Sequence, residues 1–153
     1  MFDGQNGRMT VALGCDHAGF ALKDDVLTYL ESLGVSAVYC GTDSEESVDY
    51  PLIADAVCKK VQNGEASLAV LICGTGIGMS IAANKHTGIR AAVCWNTECA
   101  SLARRHNDAN VVCLGARMLD PDLIKAIVKE FISTGFEGGR HGRRVEMLNS
   151  LDK

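Results

Sequence analysis

The residues with the most chemistry to offer stand in a few short groups. In Leu71-Ile72-Cys73-Gly74-Thr75-Gly76-Ile77-Gly78-Met79-Ser80 a cysteine stands at the mouth of a glycine loop. Glycines between an apolar run and a helical segment suggest a nucleotide phosphate loop, but the patterns fail. G-x-G-x-x-G needs a third glycine where Met79 stands, the following strand ends at Cys94-Trp95 without a carboxylate for a ribose, and no Gly-Lys-Ser/Thr follows. What survives is a run of backbone N–H groups at a helix start, suited to an anion or a developing oxyanion. A thiol in such a field is favoured as thiolate, the form that acts as base or nucleophile. The plainer alternative for Cys73 is a buried strand-end cysteine, and that reading fits Cys40, Cys58, Cys94, Cys99 and Cys113. Cys94 and Cys99 with a histidine match no common zinc spacing, so no metal is expected.

Asp16 and His17, in Gly14-Cys15-Asp16-His17-Ala18-Gly19, could polarise a hydroxyl or meet a phosphate. Asp16 could equally cap the following helix, and Cys15 could simply pack. Glu137-Gly138-Gly139-Arg140-His141-Gly142-Arg143-Arg144 is the strongest charge anomaly. If a last helix begins near Arg140, then Arg140 and Arg144 share a face with His141 beside them. Each positive charge at a helix N-terminus opposes the dipole by about 0.3–1 kcal/mol, a cost that a bound anion reverses. A solvated basic face with Glu137 nearby is the alternative. The patch is short and lacks interleaved aromatics, so nucleic acid is not expected. His86, near the end of its helix, reads as structural.

These groups need elements to hold them. Strands are expected at Thr10–Gly14, Val35–Tyr39, Leu68–Ile72, Ile89–Cys94 and Asn110–Leu114, with helices at about 18–33, 51–63, 77–87, 96–106 and 120–134. Pro51 suits a first helical turn, and Gly34 a helix stop. Five β-α units in succession predict an α/β fold: a single-domain, doubly wound, five-stranded parallel sheet of order 2-1-3-4-5, Rossmann-like, with a C-terminal basic helix. In such a sheet the ligand crevice opens at the carboxyl ends of the strands, between the first and third. The Asp16-His17 loop and the Cys73 loop then face one cleft.

His106 and Asn107 fit that cleft badly. They end a helix that starts at the cleft and runs away for about ten residues, roughly 15 Å at 1.5 Å per residue. Either His106 is a helix C-terminal histidine, or it serves a neighbouring subunit's cleft. Arg117, after the fifth strand, could reach a phosphate in either subunit.

The 153 residues, 47% hydrophobic with two prolines, suit one compact domain over 9–153, with 1–8 as a flexible N-terminal extension. A net charge of -4 gives no general pull toward nucleic acid or anionic membrane. Seven cysteines without a C-x-x-C pair and no membrane-length apolar run predict a reduced, cytoplasmic protein.

GCDHAG (14–19), the stretch from Gly41 to Pro51, CGTGIGMSIAANK (73–85), GIRAAVC (88–94), RHNDAN (105–110) and GGRHGRR (138–144) together resemble the type B ribose-5-phosphate isomerases and their allose- and galactose-6-phosphate relatives. The resemblance runs from Met9 to about residue 148. It implies interconversion of ribose 5-phosphate and ribulose 5-phosphate through an enediolate, with no metal or organic cofactor. The molecule would be a homodimer with shared active sites, or a tetramer. By position it makes Cys73 the base and gives Gly74, Thr75, Gly76, Ile77 and Gly78 the enediolate oxygen, with Thr75 counted among the catalytic groups. Asp16 and His17 would contact the sugar phosphate, and His106, with Asn107, would open the furanose ring as acid. Arg117, Arg140 and Arg144 would grip substrate, chiefly its phosphate, with His141 beside them. Some members carry a glutamate after the third glycine in place of the cysteine; Met79 stands there, so this chain resembles the cysteine type. A six-carbon substrate such as allose 6-phosphate, and a non-catalytic sugar-phosphate or nucleotide-binding module, are the competing readings. The loop Asp43–Val48 could bear on ring size.

Overall fold

The structure is a computed structural model that describes residues 7–152. The expected extension therefore lies outside the described residues, apart from exposed Gly7 and Arg8. Strands β1 (Thr10–Cys15), β2 (Ser36–Tyr39), β3 (Leu68–Cys73), β4 (Ala91–Val93) and β5 (Val111–Gly115) alternate with helices α1 (Lys23–Ser32), α2 (Tyr50–Gln62), α3 (Ile77–Ala83), α4 (Thr97–Asn107), α5 (Pro121–Ser133) and α6 (Arg140–Asn149). A single 3-10 turn, Phe20–Leu22, precedes α1. The helix expected at 77–87 ends early because Asn84 clamps the next strand. Its amide donates to Ala91 O at 3.0 Å, and its Oδ1 accepts from Ala91 N–H at 2.8 Å.

The sheet is entirely parallel, as expected, but its order is β2-β1-β3-β5-β4. The last two strands of the expected 2-1-3-4-5 order are exchanged. The reason lies in what each strand offers a neighbour. Val111–Gly115 is buried along its whole length and belongs between two strands, whereas the three residues of β4 are all half-buried and tolerate an edge. The exchange brings the end of β5 beside the end of β3, with Cys73 in register with Gly115.

Side chains alternate across the sheet into two cores. Val11, Leu13, Val70, Ile72, Val112 and Leu114 meet Val26 and Leu30 of α1, Ala100 of α4, and Ile124, Ile127 and Phe131 of α5. On the other face Ala12, Ala69, Leu71 and Cys113 meet Ile53 and Val57 of α2 and Met79 of α3. A fully buried residue such as Phe131 contributes about 1.5–3 kcal/mol by leaving water, so these two layers fix where each strand tip can lie. The basic C-terminal helix packs on α4 through His141 and Val145. No helix among the described residues is long and apolar enough to cross a membrane.

Candidate active site

At the carboxyl end of β1 the chain turns sharply around Asp16. This residue is buried, and its Oδ1 accepts from the N–H of Ala18 at 2.8 Å and of Gly19 at 3.2 Å. Asp16 thus braces the turn ahead of the 3-10 segment and does not cap a regular helix. Its own N–H donates to Ile72 O at 3.1 Å, which ties the turn to β3. His17 Nδ1 accepts the N–H of Val48 at 3.2 Å. That bond requires Nδ1 to be unprotonated and places the proton of the neutral ring on Nε2.

The end of β3 carries Cys73, whose Sγ accepts the N–H of Gly76 at 3.1 Å. Gly76 holds φ +82°, which lets the loop turn back over the sulfur. Thr75 Oγ1 accepts the N–H of Ile77 at 3.2 Å, and a Cβ on Gly78 would stand 2.5 Å from the Tyr50 ring. Sulfur, loop and ring are therefore one packed unit, with the Gly76 N–H turned to the sulfur and the Ile77 N–H to Thr75 Oγ1. Five of the other thiols are held away from ionisation. Burial pushes Cys15 and Cys58 up to about 12, Asp16 adds to the rise at Cys15, and burial raises Cys40, Cys94 and Cys113 as well. These five keep their protons near neutral pH.

The exchanged strand order brings Arg117 to this loop. Ala116 N–H donates to Cys73 O at 2.8 Å and Arg117 N–H to Gly74 O at 3.0 Å. A Cβ on Gly74 would lie 3.2 Å from Arg117 Nη1, which places the guanidinium close against the loop. Arg117 is exposed and can turn toward an anion.

The remaining sequence candidates gather elsewhere. His106 and Asn107 end α4, whose 11 residues carry them roughly 15 Å from its start, toward the amino-terminal edge of the sheet. Arg90, just before β4, donates from Nε to the carbonyls of Asn107 at 3.2 Å and Asp108 at 3.0 Å, and this holds the turn in place. The His106 ring stacks on His141 with centroids 4.2 Å apart and planes 8° from parallel. Glu137 Oε1 accepts from Arg105 Nε at 2.7 Å and lies 4.0 Å from His106 Nε2, while Oε2 lies 3.8 Å from His141 Nε2. The hydrogen bond from Arg105 holds the Glu137 carboxyl below the ordinary glutamate range. Burial, with help from His106 and Arg140, holds the His141 imidazole below the ordinary histidine range. Arg140 opens α6, and Arg144 and Asn107 line one shallow depression with Met147 and Leu148.

Ligating atoms of His106, Glu137 and His141 lie within 4.8 Å of one another, a spacing that invites a metal ion. The geometry does not fit one. Parallel rings aim their lone pairs side by side rather than at one point, and Arg105 already engages one of the two carboxylate oxygens. His86 links α3 to α2 through Asp55, at 2.9 Å, in keeping with a structural part.

The candidate residues thus fall into two groups. Asp16, His17, Cys73, the loop 74–78 and Arg117 meet at the carboxyl end of the sheet; His106, Asn107, Arg140, His141 and Arg144 meet at the opposite end. Two contributors went unread in the sequence. Tyr50, against Gly78, was hidden by its place beside a helix-starting proline, and Glu137 read only as a neighbouring charge.

The model of the family described as Ribose/Galactose Isomerase matches residues 11–148. Ribose-5-phosphate isomerase B of Escherichia coli is 46% identical over 143 residues, covering 94% of this chain and 96% of that protein. A ribose 5-phosphate isomerase structure from Thermotoga maritima superposes with a TM-score of 0.90 at 46% identity, covering 94% of this chain and 99% of that one. The type B ribose 5-phosphate isomerase of Trypanosoma brucei gives a TM-score of 0.92 at 44% identity, with 95% and 99% covered.

Proposed function

The chain belongs to the ribose/galactose isomerase family and is an aldose-ketose isomerase, and we propose that it interconverts ribose 5-phosphate and ribulose 5-phosphate through an enediolate. Neither metal nor organic cofactor takes part. The single observation that carries this reading is the Cys73 sulfur, held by the Gly76 N–H at 3.1 Å in a loop against which Arg117 lies.

The aldopentose phosphate is mostly a closed ring, so an acid must act first. His106 gives a proton to the ring oxygen as the C1–O4 bond breaks, and the C1 hydroxyl releases its proton to water. The Cys73 thiolate then takes the C2 proton. The electron pair moves into a C1–C2 double bond, and charge develops on O1. N–H groups of the Gly74–Gly78 loop meet that charge, with Thr75 beside it. Cys73 returns the proton to C1 while the O2 proton moves to O1, and C2 becomes the ketone carbonyl. Asp16, buried and braced, takes a sugar hydroxyl, and His17 presents the Nε2–H fixed by its bond from Val48. Arg117, Arg140 and Arg144 hold the phosphate, and this remote grip orients the reacting carbons. Because His106 lies at the far end of its own sheet, the acid at each Cys73 comes from the second protomer of a homodimer. A reducing cytoplasm suits a chain with seven free thiols.

The test is turnover of purified protein on ribose 5-phosphate beside allose 6-phosphate, for wild type and Cys73→Ala. The proposal expects the pentose to be preferred and the variant to be inactive while still binding a phosphate ligand. Preference for the hexose, or wild-type turnover without Cys73, would overturn it. Turnover of neither sugar would favour a binding module.

A further inference from the structure

Glu137 has no part in the chemistry described above, yet it is fastened beside the ring-opening acid. Its N–H donates to Arg105 O at 3.1 Å, and its Oε1 accepts from Arg105 Nε at 2.7 Å. This is a two-point clamp between residues 32 apart in sequence, and Arg105 immediately precedes His106. The clamp sets the carboxylate beside both imidazoles, 4.0 Å from His106 Nε2 and 3.8 Å from His141 Nε2.

We propose that Glu137 is a positioning residue for His106, keeping this imidazole stacked on His141 with Nε2 toward the carboxylate and the other ring nitrogen toward the substrate's ring oxygen. The inference rests on the reading of His106 as the ring-opening acid.

Charge and packing support it together. Two imidazoles stacked at 4.2 Å disfavour a second positive charge beside the first. Arg105 and His106 on α4, Arg140 and Arg144 on α6, and His141 itself surround the stack with positive or potentially positive groups. Glu137 supplies the negative charge they face. Of the two rings His141 is the buried one, and burial favours its neutral form. The stack also fixes the plane of the His106 ring, a condition that proton transfer to one particular oxygen demands.

Ribulose 5-phosphate provides a readout that separates ring opening from carbon acid chemistry. Its C5 oxygen carries the phosphate, so it cannot close a five-membered ring. Exchange of its C1 hydrogen with deuterated water needs the base and the loop, and no ring opening. Wild type, Glu137→Gln and Glu137→Asp are compared for kcat and KM on ribose 5-phosphate, for C1 exchange on ribulose 5-phosphate, and for Tm. Glu137→Gln should lose about ten-fold in forward kcat, with KM and exchange within about two-fold of wild type. Glu137→Asp should recover part of that loss. Unchanged forward kcat, or equal loss of turnover and exchange with a lowered Tm, overturns the proposal. A wild type inactive in both assays would instead remove the isomerase reading, and this inference with it.

Discussion

Gly76→Ala perturbs fold and chemistry at one atom, and both effects can be sized. Gly76 sits at φ +82°, a conformation that costs an L residue about 1–2 kcal/mol. Its new Cβ would stand 3.1 Å from backbone atoms of Cys113 and Leu114, in a strand buried throughout. Backbone cannot swing aside as a side chain can, and overpacking of this kind costs a further 1–3 kcal/mol or so. A combined loss of about 3 kcal/mol lowers Tm by roughly 6–12 °C at about 2–4 °C per kcal/mol. Gly138→Ala is the control. Gly138 has φ +71° but nothing within 4 Å of the added Cβ, so only strain acts and the expected fall is about 3–6 °C. The two variants should also part in activity. Moving the Gly76 N–H off Cys73 Sγ removes a preorganised donor, and kcat should fall by at least about ten-fold at a temperature where both variants are folded. Calorimetry and initial rates suffice. If Gly76→Ala melts within about 2 °C of Gly138→Ala and keeps wild-type kcat, the role given to this turn is wrong.

Two further outcomes follow from other parts of the site. Arg117→Ala should raise KM for ribose 5-phosphate by roughly 10–100-fold, the loss of about 1.5–3 kcal/mol from a charged hydrogen bond, with Tm unchanged because the side chain is exposed; an unaltered KM would remove it from phosphate binding. The buried His141 imidazole has its proton affinity depressed below the ordinary value of 6.5, chiefly by burial. The unfolded chain then binds more protons in this window, so stability falls as pH drops from about 6.5 toward the folded value. Denaturation of wild type against His141→Asn across that range should show this slope only in the wild type, and parallel curves would contradict it.

Much of this was legible in sequence because it was written in local pattern. The unbroken apolar runs at Val11–Leu13, Leu68–Ile72 and Val111–Leu114 announce strands covered on both faces, and the Cys73 and Asp16-His17 loops follow from their ends. Even the separation of His106 from Cys73 was readable, since helix length alone sets it. The order of β4 and β5 was not, because connection rules permit either. What decides it is that β5 has two faces and two edges to cover, while β4 is only three residues long. Arg117's place beside Gly74 depends on that exchange and was invisible for the same reason. Glu137 meets His106 across 31 positions through the packing of α6 on α4, a tertiary contact that no local periodicity records.

The central claim is that each working site joins Cys73 of one protomer to His106 of another. Cys73→Ala and His106→Ala proteins, each inactive alone, are to be mixed under conditions where mass spectrometry shows subunit exchange. In a heterodimer one composite site has both defects and the other has neither. Equal mixing makes half the dimers mixed, so activity should return to about a quarter of the wild-type level. No recovery despite demonstrated exchange, or full activity of His106→Ala alone, would contradict the shared site.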